Sequence, residues 1–247
     1  MAISDLQLFS RRLDALCEER RSSDEAYSNL ALAKAIGCTR SYITELRNGN
    51  RLPTYKTVLA LGEQLNAHPA YFVGGRRDRE PGSLPTRTVA DKVDTLFRLV
   101  HPAHKPEMPT ETIVARVRDH GRELADPLWT ISTNTVNDIR SGRSANPTLR
   151  HLIALGVAFG SQPIYFFDDE FARRLEAQLG RHHALALLNV DGFRFRAADL
   201  PSSVHDEILL SLASALNPSA EVEAAIRAAL RDGRDLSELD HGDSSRT

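Results

Sequence analysis

The chain contains few cysteines, the residues that form the disulfides of secreted proteins and the thiolate sites that bind metals. Only two of its 247 residues are cysteines, Cys17 and Cys38, and their spacing is not that of a thiolate metal site. Two such cysteines predict small, reduced thiols rather than a disulfide framework. No apolar run is long enough to span a bilayer, and the first residues lack the apolar core of a signal peptide. We therefore expect a cytoplasmic protein that does not bind a membrane.

The short motifs of enzyme chemistry are also missing from the sequence. It has no nucleophile elbow, no phosphate-binding loop and no pair of carboxylates on a glycine-rich scaffold. His182 and His183 are adjacent, so on a helix they would lie on different faces, and no further ligand accompanies them. We therefore expect no enzyme activity, no metal and no cofactor. No residue pattern identifies a small-molecule effector.

An internal repeat is the most informative feature that the sequence does contain. Residues 39–73 and 132–167 align when Arg47-Asn48-Gly49 is matched to Arg140-Ser141-Gly142 and one extra residue is allowed before Pro147. The later matches are Pro53 with Pro147, Ala-Leu-Gly at 60–62 with 154–156, and Pro-x-Tyr-Phe at 69–72 with 163–166. Such a repeat indicates one folding unit that occurs twice.

The apolar periodicity predicts an all-α protein. Apolar residues recur at spacings of three and four along most of the chain, and no segment shows a convincing alternation. The pattern predicts four helices and a closing turn in residues 1–73, the same plan in 89–167, and further helices in 168–231. Residues 74–88 are rich in Gly, Pro and charge and are predicted to be a linker. Residues 232–247 are predicted to be a disordered tail.

The net charge of −2 conceals an uneven distribution of charge along the chain. Residues 168–247 carry fifteen acidic and nine basic residues, whereas residues 1–167 carry 18 acidic and 22 basic residues. Within residues 34–56 there are five basic residues and one acidic residue. The positive charge is therefore concentrated on the repeated unit, where an electrostatic footprint for DNA is expected.

The first copy has the residue types that a helix-turn-helix motif requires. Ala33, Gly37 and Ile43 stand at relative positions five, nine and fifteen of such a motif, which are the positions of the helix crossing, the turn and the anchor of the second helix. Thr39 is suited to cap that second helix. A helix of this width fits the major groove of DNA, where Arg and Asn side chains pair with purine edges. The basic turn that follows Gly49 lies where backbone phosphates would pass.

Residues 5–73 resemble the lambda-repressor/Cro-like (XRE) helix-turn-helix family. The resemblance rests on Leu-Ala-x-x-x-Gly at residues 32–37, on Ile43, and on the turn Arg47-Asn48-Gly49. It implies a DNA-binding domain whose second helix enters the major groove. The DNA-binding residues predicted for this copy are Thr39, Arg40, Ser41, Thr44, Glu45, Arg47, Asn48, Asn50, Arg51 and Lys56.

Residues 88–217 resemble the EspR-like regulators, a narrower family of mycobacterial DNA-binding proteins. The resemblance rests on Leu96-Phe97, Ile139-Arg140-Ser141-Gly142, Tyr165-Phe166 and Leu200-Pro201-Ser202. It implies nucleoid-associated DNA binding and homodimerisation through the C-terminal helices. The dimerisation residues predicted from it are Phe171, Leu175, Leu179, Val204, Ile208, Leu209 and Leu212.

The second copy departs from the helix-turn-helix pattern in two places. The connection that follows Gly121 is several residues longer than a tight turn, and Val117 stands where a small residue is expected. This copy is either a second DNA-binding unit or a degenerate one that serves packing or dimerisation. If it binds DNA, its predicted contact residues are Thr133, Asn134, Thr135, Asn137, Asp138, Arg140, Ser141, Arg143 and Asn146.

Together these observations predict an all-α chain of two tandem helix-turn-helix domains followed by a helical dimerisation region. Its expected function is that of a sequence-specific, double-stranded DNA-binding transcriptional regulator that acts as a homodimer in the cytoplasm, at the nucleoid, with a possible architectural role. The alternative is a protein-interaction module in which the helix-turn-helix units are relicts and the acidic C-terminal region binds a protein partner. Salt-dependent DNA binding separates these two hypotheses.

Overall fold

The computed structural model describes residues 5–21, 28–78, 84–101, 106–126, 129–187, 209–211 and 220–234. All regular secondary structure in these ranges is helical, so the all-α prediction is confirmed. The predicted dimerisation residues Val204, Ile208 and Leu212 lie outside the described residues, as do residues 235–247 of the predicted tail. No helix among the described residues has the length and apolarity needed to cross a membrane.

The first repeat is built from four α-helices and a closing 3₁₀ helix. The helices are α1 (Asp5–Arg21), α2 (Asn29–Ile36), α3 (Arg40–Arg47) and α4 (Tyr55–Gln64), followed by the 3₁₀ helix Pro69–Val73. Because apolar residues repeat every three or four positions, each helix turns one stripe inward. The fully buried side chains of Phe9, Ile43, Leu61 and Phe72 form the core of this repeat.

The second repeat follows the same order of helices. It comprises α5 (Val89–Leu99), α6 (Thr110–Glu123), α7 (Thr133–Arg140), α8 (Leu149–Ala158) and the 3₁₀ helix Pro163–Phe166. Val117, which stands where the first repeat has a small residue, is fully buried. The larger side chain is therefore accommodated in the core of the second repeat.

The longer connection in the second repeat changes the role of its glycine. Helix α6 continues beyond Gly121 to Glu123, whereas the sequence pattern predicts that the helix ends at Gly121. A side chain on Gly121 would place its Cβ atom 2.6 Å from the Cβ atom of Trp129. The Trp129 ring packs edge-on against His120, with ring centroids 4.9 Å apart. Gly121 is therefore a packing position, because the extended connection folds back onto it.

The chain divides into two compact units, which do not coincide with the two repeats. One unit comprises residues 1–91 and 110–169, and the other comprises residues 92–109 and 170–247. The first unit therefore contains α1 to α4 together with α6 to α8. The first repeat is therefore in the same compact unit as α6 to α8 of the second repeat, and the predicted domain boundaries at 73/74 and 167/168 remain predictions.

The second unit contains most of α5, together with α9 (Asp169–Leu187) and α10 (Ala220–Arg234). Its apolar core includes Ala184, Leu187, Leu209, Ile226 and Leu230. Leu209, which the resemblance to the EspR-like regulators places among the dimerisation residues, is fully buried in this cluster within the chain itself. Phe171, Leu175 and Leu179 are half-buried along α9. Helix α10 extends to Arg234, three residues into the predicted disordered tail.

Candidate nucleic-acid interface

Helix α3 begins at a well-defined turn and cap. Gly37 ends α2 in the left-handed conformation, with φ of 73°, which an L side chain adopts at a cost. The Thr39 hydroxyl accepts a hydrogen bond from the Tyr42 backbone N–H at 3.2 Å and so caps α3. Both features match the sequence-based predictions. In the second repeat, Ser132 caps α7 in the same way through the backbone N–H of Thr135 at 3.1 Å.

Helix α3 is anchored on one side and exposed on the other. Ile43 and Leu46 are fully buried, and α3 packs against both α1 and α2. The predicted DNA-binding residues that are exposed are Thr39, Arg40, Ser41, Asn48, Asn50, Arg51 and Lys56. The other three, Thr44, Glu45 and Arg47, are half-buried. The polar side chains thus project from a helix whose position is set by the core.

The Arg47 side chain is held by acidic and amide side chains of α1 and α2, and the DNA contact predicted for it remains a prediction. Its guanidinium donates to Asp14 Oδ1 at 2.8 and 2.5 Å, to Glu18 Oε1 at 2.6 Å and to Asn29 Oδ1 at 2.8 Å. Only 15% of the Arg47 side chain is exposed. The planar, five-donor guanidinium suits such a set of acceptors. These hydrogen bonds tie the end of α3 to α1 and α2.

A side-chain hydrogen bond joins the two helices of the motif in both repeats. The Asn29 side chain at the start of α2 donates to Thr44 Oγ1 on α3 at 3.1 Å. In the second repeat the hydroxyl of Thr110, at the start of α6, donates to Asn137 Oδ1 on α7 at 2.9 Å. Thr44 and Asn137 are aligned positions, so the repeated contact fixes the angle between the two helices of each motif.

Arg51 is an exposed cation of the basic turn. Its side chain is 61% exposed, and its guanidinium lies 3.4 Å from Glu45 and 4.9 Å from the centre of the Tyr42 ring. In the second repeat, Arg143 lies 2.7 Å from Asp138 and is 69% exposed. Exposed ion pairs of this kind contribute little to stability. Both arginines can therefore exchange their carboxylate partner for a phosphate at small cost.

The second repeat presents a more neutral surface. Of its nine predicted DNA-binding residues, those that are exposed are Asn134, Asn137, Ser141, Arg143 and Asn146, and the half-buried ones are Thr133, Thr135, Asp138 and Arg140. The side chain of Asn146 accepts the backbone N–H of Lys56 at 2.9 Å, so it joins the two repeats. Arg150 is a cation that the sequence analysis missed. The repeat alignment could have found it, because Arg150 stands where Lys56 does, three residues after the matched proline.

The two cysteines differ in accessibility, which gives a simple check of the first repeat. Cys17 is 1% exposed, and burial raises the pKa of its thiol to about 11. Cys38 is half-buried in the turn before α3, and burial also raises the pKa of its thiol. Because the thiolate is the reactive form, we expect Cys38 to react slowly with a disulfide reagent at pH 8 and Cys17 only after denaturation. The Cys38→Ser variant should lose the native-state reaction, and equal rates for both thiols would contradict this placement.

Comparison with known proteins agrees with this geometry. Residues 26–72, which include α2, α3, α4 and most of the first 3₁₀ helix, match the helix-turn-helix family model. Residues 26–72 form a helix-turn-helix domain. The helices α2 and α3 described above are the two helices of that motif, so the resemblance of the first repeat to the XRE family is confirmed.

The chain is also similar to the nucleoid-associated protein EspR of Mycobacterium tuberculosis, in strains CDC 1551 / Oshkosh and ATCC 25618 / H37Rv. The identity in each case is 27% over 125 residues, which cover 49% of this chain and 87% of EspR. The predicted resemblance to the EspR-like regulators is therefore confirmed. The helix-turn-helix domain and this similarity support a DNA-binding regulator.

Proposed function

We propose that this protein is a sequence-specific transcriptional regulator that binds double-stranded DNA through two helix-turn-helix units. The units are residues 1–73 and 89–167, with α3 and α7 as the helices that enter the major groove. Residues 168–231 join two chains into a homodimer, which gives the protein a DNA-bridging, nucleoid-architectural capacity like the association named for EspR. On this proposal the protein acts in the cytoplasm, requires no cofactor and is not an enzyme.

The observation that carries the proposal is the fixed position of α3. Three features hold the helix in place: capping by Thr39, burial of Ile43 and Leu46, and the hydrogen bonds of Arg47. The exposed side of α3 carries Arg40 and Ser41, and the basic turn that follows carries Asn50 and Arg51. A helix that is held rigidly and presents exposed hydrogen-bond donors at its N-terminal half suits direct contact with base edges.

The half-buried apolar residues of α9 support the homodimer in this proposal. Phe171, Leu175 and Leu179 recur at a spacing of four, so they lie along one side of that helix. A second chain that covers this side would bury apolar surface and bring four helix-turn-helix units into one particle. Two chains that each hold a DNA site would then bridge two segments of DNA.

The proposal is tested by the salt dependence of DNA binding. Anisotropy titrations of the full chain with labelled genomic fragments should show affinity that falls steeply with salt, because cationic side chains release counterions from phosphates. Arg51→Ala and Lys56→Ala should each flatten the logarithmic slope by about 0.9 and weaken binding to all sequences alike.

Arg122 provides a matched control for this experiment. Its side chain is 72% exposed and is paired with Asp119 at 3.1 Å, as Arg51 is paired with Glu45, but it lies at the end of α6 rather than on α3 or its turn. Arg122→Ala should leave the slope unchanged. Equal effects of Arg122→Ala and Arg51→Ala would show non-specific attraction only. No measurable binding at low salt would favour the protein-interaction module instead.

A further inference from the structure

The two repeats are joined through equivalent residues. Thr54 of the first repeat and Thr148 of the second form an isolated antiparallel β-bridge. The Tyr55 N–H donates to the Pro147 carbonyl at 2.9 Å, and the Leu149 N–H donates to the Pro53 carbonyl at 2.8 Å. In the repeat alignment Pro53 matches Pro147, and Thr54 and Thr148 are the residues that follow them. Each copy therefore donates to the other through the same position.

A second pair of equivalent segments also makes contact. The 3₁₀ helices Pro69–Val73 and Pro163–Phe166, which are the matched Pro-x-Tyr-Phe turns, pack against one another. Beside them the rings of Tyr55 and Phe167 lie 5.2 Å apart. Burial there raises the pKa of the Tyr55 phenol, and the nearby Asp169 raises it further. The junction therefore includes a buried aromatic contact as well as the backbone hydrogen bonds.

Contacts between equivalent residues define the symmetry of the junction. When two copies meet through the same surface patch on each, they are related by a two-fold rotation, as in an isologous dimer. Here the two copies belong to one chain, so the rotation is approximate and lies within a single compact unit. Helix α3 ends seven residues before Thr54, and helix α7 ends eight residues before Thr148. We therefore infer that the approximate two-fold axis relates α3 to α7.

We propose that a single chain recognises one composite DNA site made of two unequal half-sites in inverted orientation. The inference rests on the proposed DNA-binding function and assigns the class of DNA that the chain binds. The orientation is inverted because the approximate two-fold axis relates α3 to α7, as the local dyad of a duplex relates its two strands. The half-sites are unequal because α3 presents Arg40 and Ser41 where α7 presents Thr133 and Asn134.

The junction also fixes the spacing of the two half-sites. In addition to the backbone bonds, Asn146 accepts from the Lys56 N–H, and Arg76 pairs with Asp168, which is 7% exposed, at 3.2 Å. Residues 74–78 and 84–88 are the described parts of the predicted linker, and the backbone N–H and hydroxyl of Thr86 donate to Asp169 Oδ2 at 2.7 and 2.9 Å. The two helix-turn-helix units therefore bind DNA as one rigid pair, rather than as two independent domains joined by a flexible linker.

The first experiment selects bound sequences from a random double-stranded DNA library with the full chain. The expected motif has two different half-sites in inverted order at one fixed spacing. Arg40→Ala should relax the sequence preference of one half-site, and Asn134→Ala that of the other. Insertion of five base pairs between the half-sites should weaken binding at least tenfold, because it places them on opposite faces of the duplex. A motif of direct repeats, one half-site only, or tolerance of the insertion would overturn the inference and leave the DNA-binding function intact.

The second experiment joins the two repeats at the junction with a disulfide. Thr54 and Thr148 form a non-hydrogen-bonded antiparallel pair, the geometry in which Cα atoms lie closest, at about 4.5 Å. That separation suits a disulfide. The variant T54C/T148C, made with C38S to remove the reactive native thiol, should cross-link on oxidation and bind the selected duplex with the same affinity before and after, within twofold.

Each outcome of the locking experiment has a definite meaning. Loss of affinity of more than tenfold on oxidation, restored by reduction, would show that the units must separate to bind, and would overturn the inference alone. Failure of the two cysteines to cross-link in the folded chain would overturn the junction itself. Absence of DNA binding in both redox states, and in the parent chain, would instead overturn the proposed function.

Discussion

Replacement of Arg47 by alanine should lower the free energy of unfolding by about 2 kcal/mol, since it removes several hydrogen bonds to charged and amide acceptors. The variant leaves Asp14, Glu18 and Asn29 without their shared donor and frees the end of α3. We do not expect the full cost of a buried ion pair, because the side chains of Asp14 and Glu18 are 49% and 50% exposed and are partly solvated. Equilibrium denaturation in urea measures the change.

Two variants control this experiment. Arg51→Ala removes an exposed arginine from the same motif and should change stability by less than about 0.5 kcal/mol. Arg47→Lys keeps the charge but loses the planar fork, so it should recover only part of the stability. A different result would show that Arg47 contacts phosphate instead. In that case Arg47→Ala would be as stable as the parent, and the logarithmic salt slope of its DNA binding would be flattened by about 0.9.

Gly121→Ala should destabilise the second repeat by about 2 kcal/mol, because overpacking of a close contact outweighs the roughly 1 kcal/mol gained from the helix propensity of alanine. The added Cβ atom would lie 2.6 Å from Trp129 Cβ and 3.2 Å from the carbonyl oxygens of Asp126 and Trp129. A backbone carbonyl cannot rotate aside, so the connection before α7 must shift.

The only tryptophan of the chain reports on this substitution. Trp129 is half-buried, and displacement of its ring from His120 should change both the intensity and the wavelength of its fluorescence. Arg118→Ala, at an exposed position of the same helix, is the matched control and should change neither the stability nor the emission. Unchanged emission and stability in Gly121→Ala would mean that the connection packs differently.

Several features of the first repeat follow from local sequence. Gly37 and Thr39 define the turn and the cap because a left-handed residue and an N-cap hydroxyl depend only on their immediate neighbours. Ile43 and Leu46 follow from helical periodicity, which does not depend on the rest of the fold. The outward residues of α3 could be predicted for the same reason.

The role of Arg47 could not be predicted in this way. Its acceptors on α1, Asp14 and Glu18, lie 33 and 29 residues earlier in the chain, so only the packing of α1 against α3 brings them to the guanidinium. From sequence alone, an arginine at the end of such a helix has the same pattern as a phosphate contact. Burial distinguishes the two roles, and burial is a property of the tertiary structure.

The sequence by itself determined that this protein contains one helical unit twice, that the unit is of the helix-turn-helix type, and that its positive charge lies near that motif. These properties are local, or follow from comparing one segment with another. Only the tertiary structure decided that Thr54 and Thr148, 94 residues apart, pair with each other and join the two copies within one compact unit. Backbone N–H and carbonyl groups form that pairing, and every non-proline residue carries both groups, so no pattern of side chains could have indicated it.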